Sequence, residues 1–254
     1  MMLRLALGLC LAALPAAAQD VWILGEIHDN PAHHAVQAER VAAIAPRALV
    51  FEMLSEAQAD RVSPALIADR QAMAEALDWA ASGWPDFSMY HPIFVAAPEA
   101  AIYGAQVPRE ETRAVLDGGL AESFGDGAAI YGLTEPLPET EQAAREALQM
   151  AAHCDALPEE MLPGMVEVQR LRDAVLARAV VQAVEETGGP VAVITGNGHA
   201  RRDRGVPAYL GRIAPDLEVF VLGQTEDGAP LEGGFDEVVS APAVDRPDPC
   251  AAFQ

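Results

Sequence analysis

Two short stretches hold much of the chain's reactive chemistry, in the same spacing. Residues 24 to 34 read LGEIHDNPAHH and residues 195 to 201 read TGNGHAR, so Gly25-x-x-His28 recurs as Gly196-x-x-His199. A glycine lets the backbone turn sharply, and a histidine just past the turn can ligate a metal or move a proton near neutral pH. Glu26 beside His28, and Glu52 in the FEM triplet that ends another apolar run, add carboxylates. Imidazole with carboxylate is the donor mixture that suits zinc or another borderline divalent metal. A metal-activated water with one glutamate as general base would hydrolyse an ester or amide. Glu26, His28, Glu52 and His199 therefore form the candidate metal-binding and catalytic set. The competing reading makes each histidine a satisfied core hydrogen-bonder. His33 and His34 would lie about 100° apart on a helix, so one of the two is expected to face solvent. Asp29 or Asn30 can cap the helix that Pro31 starts, and its N-terminus would aim partial positive charge at the site.

The elements that must position these residues follow from hydrophobic periodicity. Short apolar runs rich in branched residues alternate with longer stretches of helical period, which predicts βα units and a mainly parallel sheet. Strands are expected at Val21 to Gly25, Ala48 to Phe51, Ala101 to Ala105, Val191 to Thr195 and Leu217 to Leu222, with an edge strand at Phe235 to Ser240. Helices are expected at Pro31 to Ile44, Glu56 to Ala80, Glu110 to Glu122, Glu139 to His153, Pro158 to Glu186 and Pro207 to Ile213. The fold class is thus α/β, a three-layer sheet flanked by helices, with an all-helical insertion from about residue 110 to 187. Each strand runs into polar residues: Glu26, Glu52, Gln106 and Arg109, Asn197 and His199, and Gln224. Parallel sheets gather their ligands along that carboxyl edge.

A segment from Trp79 to Pro98 interrupts the alternation with Trp84, Phe87, Met89, Tyr90, His91 and Phe94. It reads as core, or as an apolar wall for a flat ligand, in which case Tyr90 and His91 are candidate iron ligands. No C-x-x-C-H occurs, so covalent haem attachment is excluded. Arg201, Arg202 and Arg204 form the densest basic patch and could recognise a carboxylate or phosphate, unless neighbouring acids neutralise them.

Residues 1 to 18 read as a signal peptide: Arg4, an apolar run from Leu5 to Leu14, then Ala16-Ala17-Ala18. That run is shorter than the roughly 20 apolar residues of a membrane span, and Cys10 lies inside it after Leu9, which argues against a lipid anchor. The expected location is periplasmic or secreted. Residues 19 to 254 suit one domain with an irregular, partly loose tail from about residue 227, and 51% hydrophobic residues supply its core. The net charge of −22 disfavours nucleic acid and anionic membranes as partners. Every basic residue is arginine, which removes Schiff-base and phosphate-loop lysine chemistry. Cys154 and Cys250 remain after export, as a disulfide, as free thiols, or with Cys154 as nucleophile or ligand.

Several of these segments together resemble the ChaN-like haem-binding uptake family, grouped with Tiki, TraB and erythromycin-esterase-like proteins. They are LGEIHDNPAHH, FEM, W-P-x-F-x-x-Y-x-P from Trp84 to Pro92, the His153-Cys154 pair, Q-x-x-R-D from Gln169 to Asp173, and TGNGHARRDRGVPAYL. The resemblance spans Val21 to Leu210. It implies a parallel α/β fold and haem binding for iron acquisition. By motif, Glu26, His28, Glu52, Asn197 and His199 fall at the strand-end site, with His153, Arg172 and Asp173 in a helical motif that reaches toward it. Arg201 is then a candidate for haem propionates. The wider superfamily includes metal-dependent proteases and ester hydrolases, so two jobs stay open. One is a haem carrier, with haem or another small anionic ligand at the carboxyl edge of the sheet and a homodimer as one arrangement. The other is a metal-dependent hydrolase. Many members carry a lipid-attachment cysteine; Cys10 does not make a convincing one, which argues against outer-membrane anchoring here.

Overall fold

The computed structural model describes residues 19–248 and 250–251; the expected signal peptide lies outside them. Six strands form one sheet: β1 (Val21–Glu26), β2 (Ala48–Phe51), β3 (Ala101–Gly104), β4 (Val191–Gly196), β5 (Val219–Glu226) and β6 (Glu237–Ala241). Their order is β3-β2-β4-β1-β5-β6, and every pairing is parallel. The central strands are apolar at nearly every position because both faces are covered. Ile23, Val50, Val193 and Val221 point to one helical layer, dominated by α10 (Leu162–Thr187) and α12 (Val206–Ile213). Leu24, Leu49, Phe51, Ile194 and Leu222 point to the other, formed by α1 (Pro31–Ile44) and the helices between β2 and β3. Phe51 stacks on Phe94 there, ring centroids 4.3 Å apart.

The long helix expected from Glu56 to Ala80 is instead four short ones: α2 (Glu56–Ala59), α3 (Pro64–Ile67), α4 (Arg70–Ala76) and α5 (Trp79–Ser82). Local chemistry wins over periodicity, because Ser55, Ser63 and Asp69 each cap a new helix start and Pro64 cannot continue a preceding turn. Then α6 (Phe87–Ala96) packs along α1. The helical insertion comprises α7 (Arg109–Gly118), α8 (Leu120–Phe124), α9 (Glu139–Ala152) and α10, with Gly119 at φ +94 splitting the single helix expected from Glu110 to Glu122. A four-residue helix α11 (Asn197–Ala200) follows β4 directly.

Two expectations change toward the C-terminus. β5 runs on to Glu226, so Gln224 is a buried strand residue whose Nε2 donates to Gly25 O and His33 O rather than a group released at the edge. The tail beyond β6 is fastened. Arg246 holds Asp29 through two hydrogen bonds of 2.8 Å and also reaches Glu226, and Cys250 is disulfide-bonded to Cys154 beyond α9.

Candidate functional site

Adjacent strands β2, β4 and β1 end together, and this register sets the site. Glu26 pairs with Gly196 across β1 and β4, while the Glu52 amide, just past β2, donates to Ile194 O. The Glu52 side chain is buried. Its Oε2 accepts from the Thr195 hydroxyl at 2.7 Å and the Gly196 amide at 2.8 Å, and its Oε1 lies 3.6 Å from His199 Nε2. His199 in turn donates from Nδ1 to Asp173 Oδ1 at 2.7 Å, a partner supplied by α10. Burial disfavours charge on every member of this group. It would raise Glu52, yet His199, His28 and the two hydrogen bonds hold that carboxyl below its ordinary range. Burial would lower His199, yet its two flanking carboxylates raise it to about 9. For Asp173 burial prevails and the carboxyl is raised, despite the pull of His199 and Arg145.

Glu26 anchors a second group. Its Oε1 accepts from His28 Nδ1 at 2.8 Å and from the Tyr90 hydroxyl at 3.1 Å; its Oε2 lies 3.2 Å from His34 Nδ1. His34 Nε2 points at His28 O, 2.7 Å away, and a carbonyl only accepts, so that nitrogen carries the proton. The Glu26 to His34 contact then attracts only when a second proton lies between them. Burial opposes the charged imidazole of His28, but Glu26 and Glu52 outweigh it and raise its pKa.

A side chain at either turn would crowd its neighbours. A Cβ on Gly25 would sit 2.6 Å from Asn197 Oδ1, and one on Gly196 would sit 2.8 Å from His28 Nε2. Each G-x-x-H element therefore makes room for a side chain of the other.

The structure brings Glu26, His28, Glu52 and His199 to one edge, with Tyr90 and His34 on Glu26 and Arg172 in the cleft over Glu52, and commits most of the other candidates elsewhere. His33 and His34 are both buried, contrary to the expectation that one faces solvent. His33 accepts from the Ile27 amide and donates to Thr225 O, so the helix start is pinned from inside; burial lowers its pKa and keeps it neutral. Asn30 caps α1 by accepting from the Ala32 amide, and Asn197 exchanges two hydrogen bonds with the Gln224 backbone. Tyr90 is wholly buried, and burial with the neighbouring Glu26 charge drives its phenol far up, which opposes a tyrosinate iron ligand. His91 donates to Ile67 O and His153 to Gln149 O, away from the cluster. Arg201 is gripped by Asp203, Arg202 pairs with Asp236, and Arg204 lies 3.8 Å from Asp203, so acids answer the basic patch.

A cleft of about 540 Å³ opens over Glu52, walled by Trp84, Gln106, Arg109, Arg172 and Leu176. Trp84 also packs edge-on against His28, centroids 4.9 Å apart, and its buried Nε1 has no partner. Neither Arg109 nor Arg172 forms an ion pair among the described residues, unlike Arg145, Arg201 and Arg246. Asp173 and Tyr90 are the structural partners that the four-residue set lacked. Asp173 had a signal in the Q-x-x-R-D motif; the Tyr90 to Glu26 bond had none, because 64 residues separate them.

Among the described residues no three His, Cys, Asp or Glu donors converge as a metal site. As they stand, the carboxylates of Glu26, Glu52 and Asp173 accept hydrogen bonds from His28 and Tyr90, from Thr195, and from His199.

The family model for "Haem-binding uptake, Tiki superfamily, ChaN" matches residues 13–210. The chain belongs to this family. Haem binding linked to uptake is accordingly its function at family level. A solved structure of cofacial haem binding to ChaN of Campylobacter jejuni is similar over 84% of each chain, with 19% identity and a TM-score of 0.62. That likeness establishes the fold. The structure of the type III effector HopBA1 is a more distant match, with 11% identity, 88% of each chain covered and a TM-score of 0.47. No curated protein matches the chain by sequence. Among the described residues no helix of this ChaN-family chain is long and apolar enough to cross a membrane.

Proposed function

We propose that this chain binds haem in the cleft at the carboxyl edge of the sheet, as an exported member of its family. The supporting observation is the cleft's composition: Trp84 offers an aromatic face, and Arg109 and Arg172 offer guanidinium groups unmatched by carboxylates in a chain of net charge −22. A flat macrocycle with two propionates needs both features. The residues that would hold it are Trp84, Arg109 and Arg172; bound haem would supply its iron as cargo. Tyr90 and His91 are not part of this reading, since both are committed to protein acceptors. Export is supported by the apolar run with its small-residue cleavage site and by the Cys154–Cys250 disulfide, which persists in oxidising compartments. Titrating haem into purified protein should give a saturable Soret shift, weakened at least tenfold in an Arg109→Ala/Arg172→Ala variant and in Trp84→Ala. A wild type without saturable change, or variants that bind like it, would overturn the assignment.

One observation favours a second reading. His28 and His199 each have Nδ1 held by a carboxylate, and both lie close enough to Glu52 to depress its pKa. A carboxylate-oriented imidazole is the arrangement that general acid–base catalysis uses. In that case His28, the more exposed of the two, is the base for hydrolysis of an ester or amide, and turnover disappears in His28→Ala.

A further inference from the structure

On the opposite side of α10 from the strand-end cleft, α9, α10, α12 and the turn before α9 line a second hole of about 260 Å³, open to solvent. Arg145, Arg170, Arg204 and Arg212 line it, with Tyr131 and Tyr209. Two of these arginines are buried, Arg145 at 9% exposure and Arg170 at 7%. Burying guanidinium groups is costly unless each finds a counter-charge or enough acceptors. Arg145 has one, through two hydrogen bonds to Glu141 Oε1. Arg170 has none. Its NH2 donates to two carbonyls, Gly132 O at 2.8 Å and Glu135 O at 3.1 Å, and its buried Nε has no partner.

The remaining carboxylates do not close the balance. Asp203 lies 3.8 Å from Arg204 but is already held by both Nε and NH2 of Arg201. Glu135 is 3.8 Å from Arg212 and well exposed. Four guanidinium groups thus face the hole against three carboxylates, and one of those three serves a fifth arginine outside it. In so acidic a protein such a local excess of cation points to a missing anion.

We propose that this hole binds a small oxyanion, a phosphate or short carboxylate group, with Arg170, Arg204 and Arg212 as its cations. Planar guanidinium forks match the oxygen geometry of such groups, and the volume admits one of them with a few waters or a short organic stem. The hole shares no lining residue with the haem cleft, so the two sites stand or fall separately.

The test is isothermal titration and thermal denaturation with inorganic phosphate and with succinate, against chloride at equal ionic strength. Saturable binding and a rise in Tm beyond the chloride control are expected. Arg204→Gln and Arg212→Gln, on the wall rather than in the core, should each weaken binding at least tenfold while unfolding like wild type without ligand. Arg170→Gln removes a buried cation behind the wall and should weaken binding; if it fails to fold, the two wall variants still decide. Phosphate response without succinate response names the phosphate group as ligand, and the converse names the carboxylate. No saturable effect from either anion, or wall variants that bind like wild type, would overturn the proposal.

Discussion

His28 and His199 leave the sheet after the same glycine and the same number of intervening residues, yet they end in different electrostatic settings. His28 takes its carboxylate from its own motif, Glu26, and keeps 35% of its side chain exposed beside Trp84. His199 takes its carboxylate from a helix of the insertion, Asp173, and is closed in with Glu52 facing its other nitrogen. Spacing therefore sets where an imidazole is placed, and the element packed over it sets how strongly it is charged. The surface motif suits exchange with a ligand or proton; the buried one holds two carboxylates together.

The largest difference should appear on truncation. His199→Ala leaves Glu52 and Asp173 buried without the cation between them, and breaking a buried pair in this way costs about 3–5 kcal/mol. Urea denaturation monitored by far-UV circular dichroism measures the loss. A variant as stable as wild type would mean that His199 is no keystone, and that the contrast between the two motifs is one of exposure alone.

How much of this contrast was legible in the sequence depends on the distance over which each contact acts. The strands, the parallel sheet and the convergence of Glu26, Glu52, His28 and His199 could be read, because strand-end placement is a local property of apolar runs followed by glycine. The roles of His33 and His34 could not. Whether a helix face is buried depends on what covers it, here Tyr90 on one side and the Thr225 carbonyl on the other. Arg246 illustrates the limit: it binds Asp29 across 217 residues, and nothing in the tail's composition marks that pairing. The four short helices after β2 were masked for the opposite reason, since caps at Ser55, Ser63 and Asp69 overrode an apolar period that was present but not decisive.

The pH dependence of stability sharpens the comparison with a smaller effect. His199 is raised from 6.5 to about 9, so its stabilisation is complete below about pH 6.5 and is lost as pH rises through 9. Glu52 is lowered, so its contribution is present above its ordinary 4.5 and lost as pH falls through the depressed value. Asp173, raised by burial, acts against stability once pH exceeds its ordinary 3.8. Unfolding free energy should therefore decline from about pH 6.5 to 9, below the range where tyrosines ionise. His28 is raised too and adds a lesser part of the same sign. Retaining the full decline in His199→Gln would assign it to His28 instead, reversing the order of the two motifs.

The smallest effect on stability is expected from His28→Ala. The ring is partly solvated, its bond to Glu26 is weakened by water, and Glu26 keeps the Tyr90 hydroxyl as a donor. A loss of about 1–2 kcal/mol is expected, because Glu26 stays buried but keeps one donor, and this is short of the cost at His199. Function should respond in the reverse order. If the cluster turns over a substrate, His28→Ala removes the base that solvent can reach, so model-ester hydrolysis should vanish in a protein that still folds. If the cleft only carries haem, the same variant should change the Soret titration modestly, through the lost packing against Trp84, and no hydrolysis should be seen in wild type. A His28→Ala protein that unfolds as readily as His199→Ala would place both imidazoles in the structural framework and leave neither motif free to act on a ligand.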